Sequence, residues 1–208
     1  MSRSADRQVS TAGRLAVLVS GNGSNLQAVL DACDSGRLDG EVVVVVSNNP
    51  DAFALTRAER AGVATLVAVQ GDRSRRRYDS ELANTFQSVG VDLVVLAGWD
   101  RLLTDAFVAR FPVINLHPAK PGAFPGLGAI EKAYRGWREG TVQSSGVMVH
   151  FVPDEGVDCG PVIVTEDVEF LTGDSLETFR QRVHQTEHRL LVEAIAKVLP
   201  TVGSRSLG

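Results

Sequence analysis

Hydrophobic positions along this chain follow two alternating rhythms. Leu15–Val19 and Val42–Val46 are unbroken apolar runs, the pattern of strands buried on both faces of a parallel sheet. Between them Leu26, Val29, Leu30 and Cys33 recur at helical spacing. Ser24 with Gln27 reads as a capping box at the start of that helix, and Gly36 as its stop. The alternation continues with a helix over 52–61, a strand Val63–Val69, a helix over 75–88 and a strand Asp92–Ala97. A short helix at 104–110 leads into a strand that Pro118 ends. Strands and helices alternating at such short spacing predict a parallel, doubly wound sheet with right-handed crossovers.

After residue 118 the pattern changes. A Pro/Gly-rich loop covers 118–128, a helix follows at 129–139, and strands at 145–152 and 161–168 flank the loop Pro153–Gly160. So short a connection predicts an antiparallel hairpin. A last helix is expected from 175 to 199, with Asp174 and Glu177 capping its start. The expected class is therefore α/β: a doubly wound, mostly parallel sheet with helices on both faces and an antiparallel strand toward the C-terminal part. Residues 14–199 read as a single domain between a flexible leader, 1–13, and a flexible tail, 200–208.

Composition narrows the function classes. The 208 residues are 44% hydrophobic and 22% charged, as in a soluble globular domain. A net charge of −4 gives no reason to expect nucleic acid or an acidic membrane as the main partner. No apolar run approaches the roughly 18 residues of a membrane span. Residues 1–13 lack the apolar middle of a secretory signal. Cys33 and Cys159 form no metal-like spacing and read as reduced thiols of a cytoplasmic protein.

The densest chemistry lies in Val113-Ile114-Asn115-Leu116-His117-Pro118. Side chains alternate along a strand, so Asn115 and His117 share a face. The position is a strand end, where open α/β sheets place ligands. An amide donor beside an imidazole suits acyl transfer, with one group holding an oxyanion and the other moving protons. Asp158, flanked by Gly156 and Gly160, is an available carboxylate from a second loop. Near an imidazole it would favour the cation.

Ser20-Gly21-Asn22-Gly23-Ser24-Asn25 joins a strand to a helix, the arrangement of a phosphate cradle. A dinucleotide fingerprint fails twice, at Leu26 where a third glycine is needed and at Ser47-Asn48-Asn49 where an acid is needed. A single phosphate is the expected ligand. In the last helix Glu187 interrupts an apolar stripe of Leu176, Phe179, Val183, Leu190, Ala194 and Val198. A carboxylate there is costly unless paired and reads as a cleft residue for a substrate cation or hydroxyl. The same segment spells H-x-x-E-H from His184 to His188, so a zinc peptidase is a competing reading. No obvious third ligand follows it. Arg73, Arg75, Arg76 and Arg77 read first as a solvated helix face, and second as a source of one contact to an anionic ligand.

Together these blocks resemble the glycinamide ribonucleotide formyltransferase family over about 14–199. The resemblance rests on Ser20–Gln27, Val95–Gly98, Asn115–Pro118 with Pro125-Gly126, Val149–Val152, Asp158 with Gly160-Pro161, and Gln185–His188. It implies that Gly23, Ser24 and Asn25 hold the phosphate end of glycinamide ribonucleotide, that Glu187 contacts the same substrate, and that Asn115, His117 and Asp158 are the catalytic set. It further implies 10-formyltetrahydrofolate as co-substrate, met by Arg75, by Asp100, Arg101, Leu102 and Leu103, and by Asn115, with no metal. Asp100 stands where an apolar residue, often methionine, is common in the family. A monomer or homodimer with small-molecule partners is expected, without nucleic acid or membrane. Rival expectations are a formyltetrahydrofolate hydrolase, which would carry a further N-terminal domain, a methionyl-tRNA formyltransferase, which would carry a C-terminal RNA-binding domain, and a non-catalytic phosphosugar-binding module.

Overall fold

A computed structural model describes residues 12–202. The leader and tail expectations for 1–11 and 203–208 lie outside the described residues. A 7-stranded sheet runs in the order β3-β2-β1-β4-β5-β6-β7. Its strands are β1 Gly13–Val19, β2 Gly40–Ser47, β3 Thr65–Val67, β4 Leu93–Leu96, β5 Val113–His117, β6 Ser144–Phe151 and β7 Val162–Glu169. The helices are α1 Ser24–Asp34, α2 Phe53–Arg60, α3 Arg75–Ser88, α4 Asp105–Val108, α5 Ala129–Arg138 and α6 Leu176–Val202. The first five strands pair in parallel. The expected hairpin forms from β6 and β7, and β6 also runs antiparallel to β5.

Period-two alternation in β1 divides the core between the two sheet faces. Leu15, Val17 and Val19 join one cluster with Leu26, Val29, Phe179 and Leu191 of α1 and α6. Ala16 and Leu18 join the other with Tyr78, Leu82, Phe86 and Phe107 of α3 and α4. Leu15–Val19 are wholly buried, and each such larger apolar side chain contributes about 1.5–3 kcal/mol on leaving water.

Four local expectations are corrected. At the start of α1 the N-cap is Gly23, with φ 77, and Ser24 already lies inside the helix without a side-chain cap. Gln27 bonds instead to Asp31 and Arg57. β3 is three residues rather than seven, because its neighbour β2 ends at Ser47 and Val63 is drawn into the end of α2 by a bond to Ala58. Ser175, rather than Asp174 or Glu177, caps α6: Ser175 and Thr178 exchange bonds, while Asp174 accepts from Leu171 and Arg182. Finally α6 runs past 199 to Val202. The fixed φ of Pro200 is helical, and Leu199 is anchored against Gly13 and Gly40, where any Cβ would meet its side chain at 2.5 and 3.0 Å.

The chain runs outward through β2 and β3 on one side of β1 and through β4 and β5 on the other. The tips after β1 and β4 therefore flank a topological switch point, where a crevice opens beyond the carboxyl ends of the strands. Bonds from Ala97 to Leu18 and from Ser20 to Gly98 hold those two tips together.

Candidate active site

Asn115 and His117 end β5 on one face, while Ile114 and Leu116 between and beside them pack into the apolar core of the opposite face. The loop after β6 swings Asp158 over them, its backbone in the left-handed region at φ 51, a conformation that aspartate tolerates better than most residues. Asn115 Nδ2 donates to Asp158 Oδ1 at 2.9 Å, and His117 Nδ1 lies 3.3 Å from Asp158 Oδ2. The backbone N–H of Gly126 donates to the same Oδ2 at 2.8 Å. The outer nitrogen of His117, Nε2, lies 3.4 Å from the carbonyl of Ala123. Acceptors thus face both ring nitrogens of His117, as an imidazolium with two donors requires. Burial by itself pushes the Asp158 carboxyl up. The adjacent His150 ring, the Gly126 N–H and charge on His117 outweigh burial and hold it below the ordinary carboxylate range.

His150 completes this cluster and was not singled out as a site residue by the sequence. Antiparallel register sets it directly opposite Asn115. Its Nδ1 faces the Phe151 carbonyl at 2.8 Å and donates there, leaving Nε2 3.2 Å from Asn115 Nδ2 and 3.6 Å from Asp158 Oδ1.

The glycine loop forms at the start of α1 as expected, with a backstop the sequence did not announce. Gly23 sits so close to α2 that a Cβ would meet Ala54 Cβ at 2.6 Å. The ladder of α1 begins with Gln27 N bonding to Gly23 O, so the N–H groups of Ser24, Asn25 and Leu26 precede it and can face an anion. Arg57 of α2 grips the loop from behind. Its Nε donates to Asn22 O at 2.9 Å, its Nη2 to Asn22 Oδ1 at 3.0 Å and its Nη1 to Gln27 Oε1 at 3.2 Å.

Glu187 is only 4% exposed. Its Oε2 accepts from His184 Nδ1 at 2.6 Å and from Asn25 Nδ2 at 3.4 Å. Within the H-x-x-E-H string, His184 and Glu187 are thus joined to each other across one helical turn. Among the described residues no group of three His, Cys, Asp or Glu side chains could hold a metal ion.

Of these groups, Asn25, Asn115, His117, His150, Asp158, His184 and Glu187 border one cavity of about 490 Å³, whereas Gly23 and Ser24 are not in its lining. Asn25, His184 and Glu187 line one part of it, and Asn115, His117, His150 and Asp158 another. Asp100, Arg101, Leu102 and Leu103 form a wall, opposed by Val152 and Asp154–Val157. Leu102, Leu127 and Val157 are exposed apolar groups at this cavity. Asp100 turns to the strand tips, accepting from Ser20 Oγ at 3.0 Å and from Asn48 Nδ2 at 2.7 Å. Arg101 bonds to Gln70 and lies over the Tyr78 ring, 5.3 Å from its centroid. Arg75 is not in the lining: it pairs with Glu155, which is. Arg73 and Arg77 both pair with Glu81 on the surface of α3, the solvated face expected of the basic run. Cys33 and Cys159 are free thiols.

Comparison with known proteins places this geometry. The formyl transferase family model matches residues 13–195. The chain is 41% identical over 203 residues to the phosphoribosylglycinamide formyltransferase of Dictyostelium discoideum, covering 90% of this chain and 98% of that one. It is 41% identical over 204 residues to the trifunctional purine biosynthetic protein adenosine-3 of Drosophila melanogaster, covering 92% of this chain and 15% of that one. Among solved structures, glycinamide ribonucleotide transformylase 1 from Symbiobacterium toebii matches with a TM-score of 0.85 and 43% identity, covering 92% of this chain and 89% of that one.

Proposed function

The chain belongs to the formyl transferase family, and from that premise we propose that it carries a formyl group from 10-formyltetrahydrofolate to the amine of glycinamide ribonucleotide, a step of purine biosynthesis. The observation that carries this reading is the Asp158 carboxylate, which binds Asn115 and faces His117 at 3.3 Å on the wall of the shared cavity. A cavity of about 490 Å³ with largely apolar walls and polar groups among them is within the roughly 300–1,000 Å³ typical of small-molecule sites and can take a ring system that also carries hydrogen-bonding groups.

The nucleotide phosphate takes the N–H groups at the start of α1, from Gly23, Ser24 and Asn25, and Glu187 meets a hydroxyl of the same molecule. The folate lies along Asp100, Arg101, Leu102 and Leu103, with Arg75 at the rim and Asn115 at its reactive end. The amine attacks the formyl carbon, a new C–N bond forms, and the formyl oxygen becomes an oxyanion. Asn115 and the cationic form of His117 donate to that oxygen. Collapse breaks the bond to folate N10, and the amine's proton passes through water beside Asp158 and His117 to the departing nitrogen. Holding both substrates in one cavity supplies the entropic part of the acceleration. The reading makes the protein a cytoplasmic enzyme, monomer or homodimer, with small-molecule partners and no metal.

Incubation with 10-formyltetrahydrofolate, with and without glycinamide ribonucleotide, tests it. Tetrahydrofolate released only with the nucleotide supports the transferase. Release without the nucleotide makes the protein a hydrolase instead.

A further inference from the structure

We propose that His184 is a positioning residue for nucleotide binding: its imidazolium neutralises the buried carboxylate of Glu187 and fixes it toward the hydroxyls of the ligand. The proposal rests on the reading above, in which Glu187 meets the nucleotide.

Glu187 lies on the apolar face of α6 between Val183 and Leu190, both buried. A carboxylate in that position needs a cation. The cation within ion-pair distance of Glu187, among the described residues, is His184, at 2.6 Å. That length is at the short end for a charge-assisted hydrogen bond, typically about 2.7–2.9 Å between nitrogen and oxygen, and the i,i+3 spacing puts both groups on one helix face. The Glu187 hydrogen bond, opposed by burial, pushes the His184 imidazole up. Other charges that act on it are Glu177 and Arg180 of α6, with Glu131 of α5 and His188 in turn feeling its charge. Arg180 is itself committed to Glu131 and Glu177.

Asn25 gives the pair its purpose. Its Nδ2 donates to Glu187, while its Oδ1 is buried and has no hydrogen-bond partner among the described residues. Asn25, His184 and Glu187 all line the cavity. An amide oxygen and a carboxylate that converge there are both acceptors, so the matching ligand brings donors, as neighbouring sugar hydroxyls do. With His184 protonated the pair is neutral. Once His184 loses its proton, a net negative charge faces a ligand that carries a phosphate dianion.

The folded imidazole titrates above its ordinary value, so the neutral pair is lost as pH rises through that raised value. Nucleotide affinity should therefore fall on the alkaline side. The probe is the formylated product nucleotide, which has no basic amine and whose phosphate, with a second pKa of about 6, keeps its charge above about pH 7. Binding is measured by calorimetry from about pH 7 to 9.5 for the wild type and for His184→Gln, which keeps a donor to Glu187 without charge. The expected result is a roughly tenfold loss of wild-type affinity across that range, and uniformly weak, pH-independent binding by the variant. By reciprocity, saturation with the nucleotide should move the NMR titration of His184 upward. A flat wild-type profile, an alkaline loss retained in His184→Gln, or an unmoved His184 titration overturns the proposal while leaving the transferase reading intact. No binding at any pH removes the nucleotide reading of the cleft, and this proposal with it.

Discussion

Asp158→Asn preserves the shape of the side chain and deletes its charge. In the folded protein the carboxylate is mostly buried, lies 3.3 Å from His117 Nδ1, and is held by Asn115 and by the Gly126 N–H. At that separation a carboxylate and an imidazolium attract by about 5 kcal/mol at an effective dielectric of about 20. The amide dipole and reorganised water recover part of this, and losing one oxyanion-stabilising group typically costs about 3–4 kcal/mol. The expected loss in kcat is therefore roughly a hundredfold to a thousandfold. Turnover is read as tetrahydrofolate release at saturating concentrations of both substrates, with nucleotide binding measured separately and expected to survive. A variant with kcat within about fivefold of wild type would show that the carboxylate does not act through His117. Stability supplies an independent check with a defined sign. The Asp158 carboxyl is held below its ordinary value, so its contribution to stability is complete above about pH 4 and disappears as pH falls through the lower folded value. The stability gap between the wild type and Asp158→Asn should accordingly narrow on acidification, as followed by urea unfolding.

Three further outcomes are expected. Asn115→Ala and His117→Ala should each lower kcat by roughly a hundredfold or more while calorimetry still detects nucleotide binding; near-normal turnover in both would remove them from the mechanism. Arg57→Met should raise the KM for the nucleotide roughly tenfold, with kcat and the folate KM little changed, because Arg57 bonds to the glycine loop through Asn22 and Gln27; equal effects on both KM values would count against a local role. Gly23→Ala forces a Cβ into the left-handed region and within 2.6 Å of Ala54, so thermal unfolding should reveal a loss of about 1–3 kcal/mol together with weaker nucleotide binding.

The parts of the fold that were legible in the sequence are those set by short-range periodicity. β1 and β2 are unbroken apolar runs because they are buried on both faces, and α3 spans the expected 75–88 with Ser74 as its cap. Errors arose where a distant neighbour decides the outcome. β3 is short because β2 ends beside it, and α6 passes Pro200 because Leu199 is locked against Gly13 and Gly40. The capping box at Ser24 was overridden because α2 presses on Gly23 and Arg57 takes the Gln27 side chain. None of these contacts leaves a trace within a window of a dozen residues.

The site divides along the same line. By itself the sequence determined that Asn115 and His117 share a strand face, that a glycine loop opens a helix, and that Glu187 falls on an apolar stripe, since all three follow from the repeat of a strand or a helix turn. Only the tertiary structure decided that Asp158 reaches both Asn115 and His117, that His150 stands opposite Asn115, that Arg57 braces the glycine loop, and that Arg75 pairs with Glu155 rather than lining the cavity. Side-chain direction is a local property of the backbone, whereas convergence of groups 35 to 162 residues apart, such as Asn115 with His150 or Asn25 with Glu187, depends on strand register and helix packing that the whole sheet settles at once.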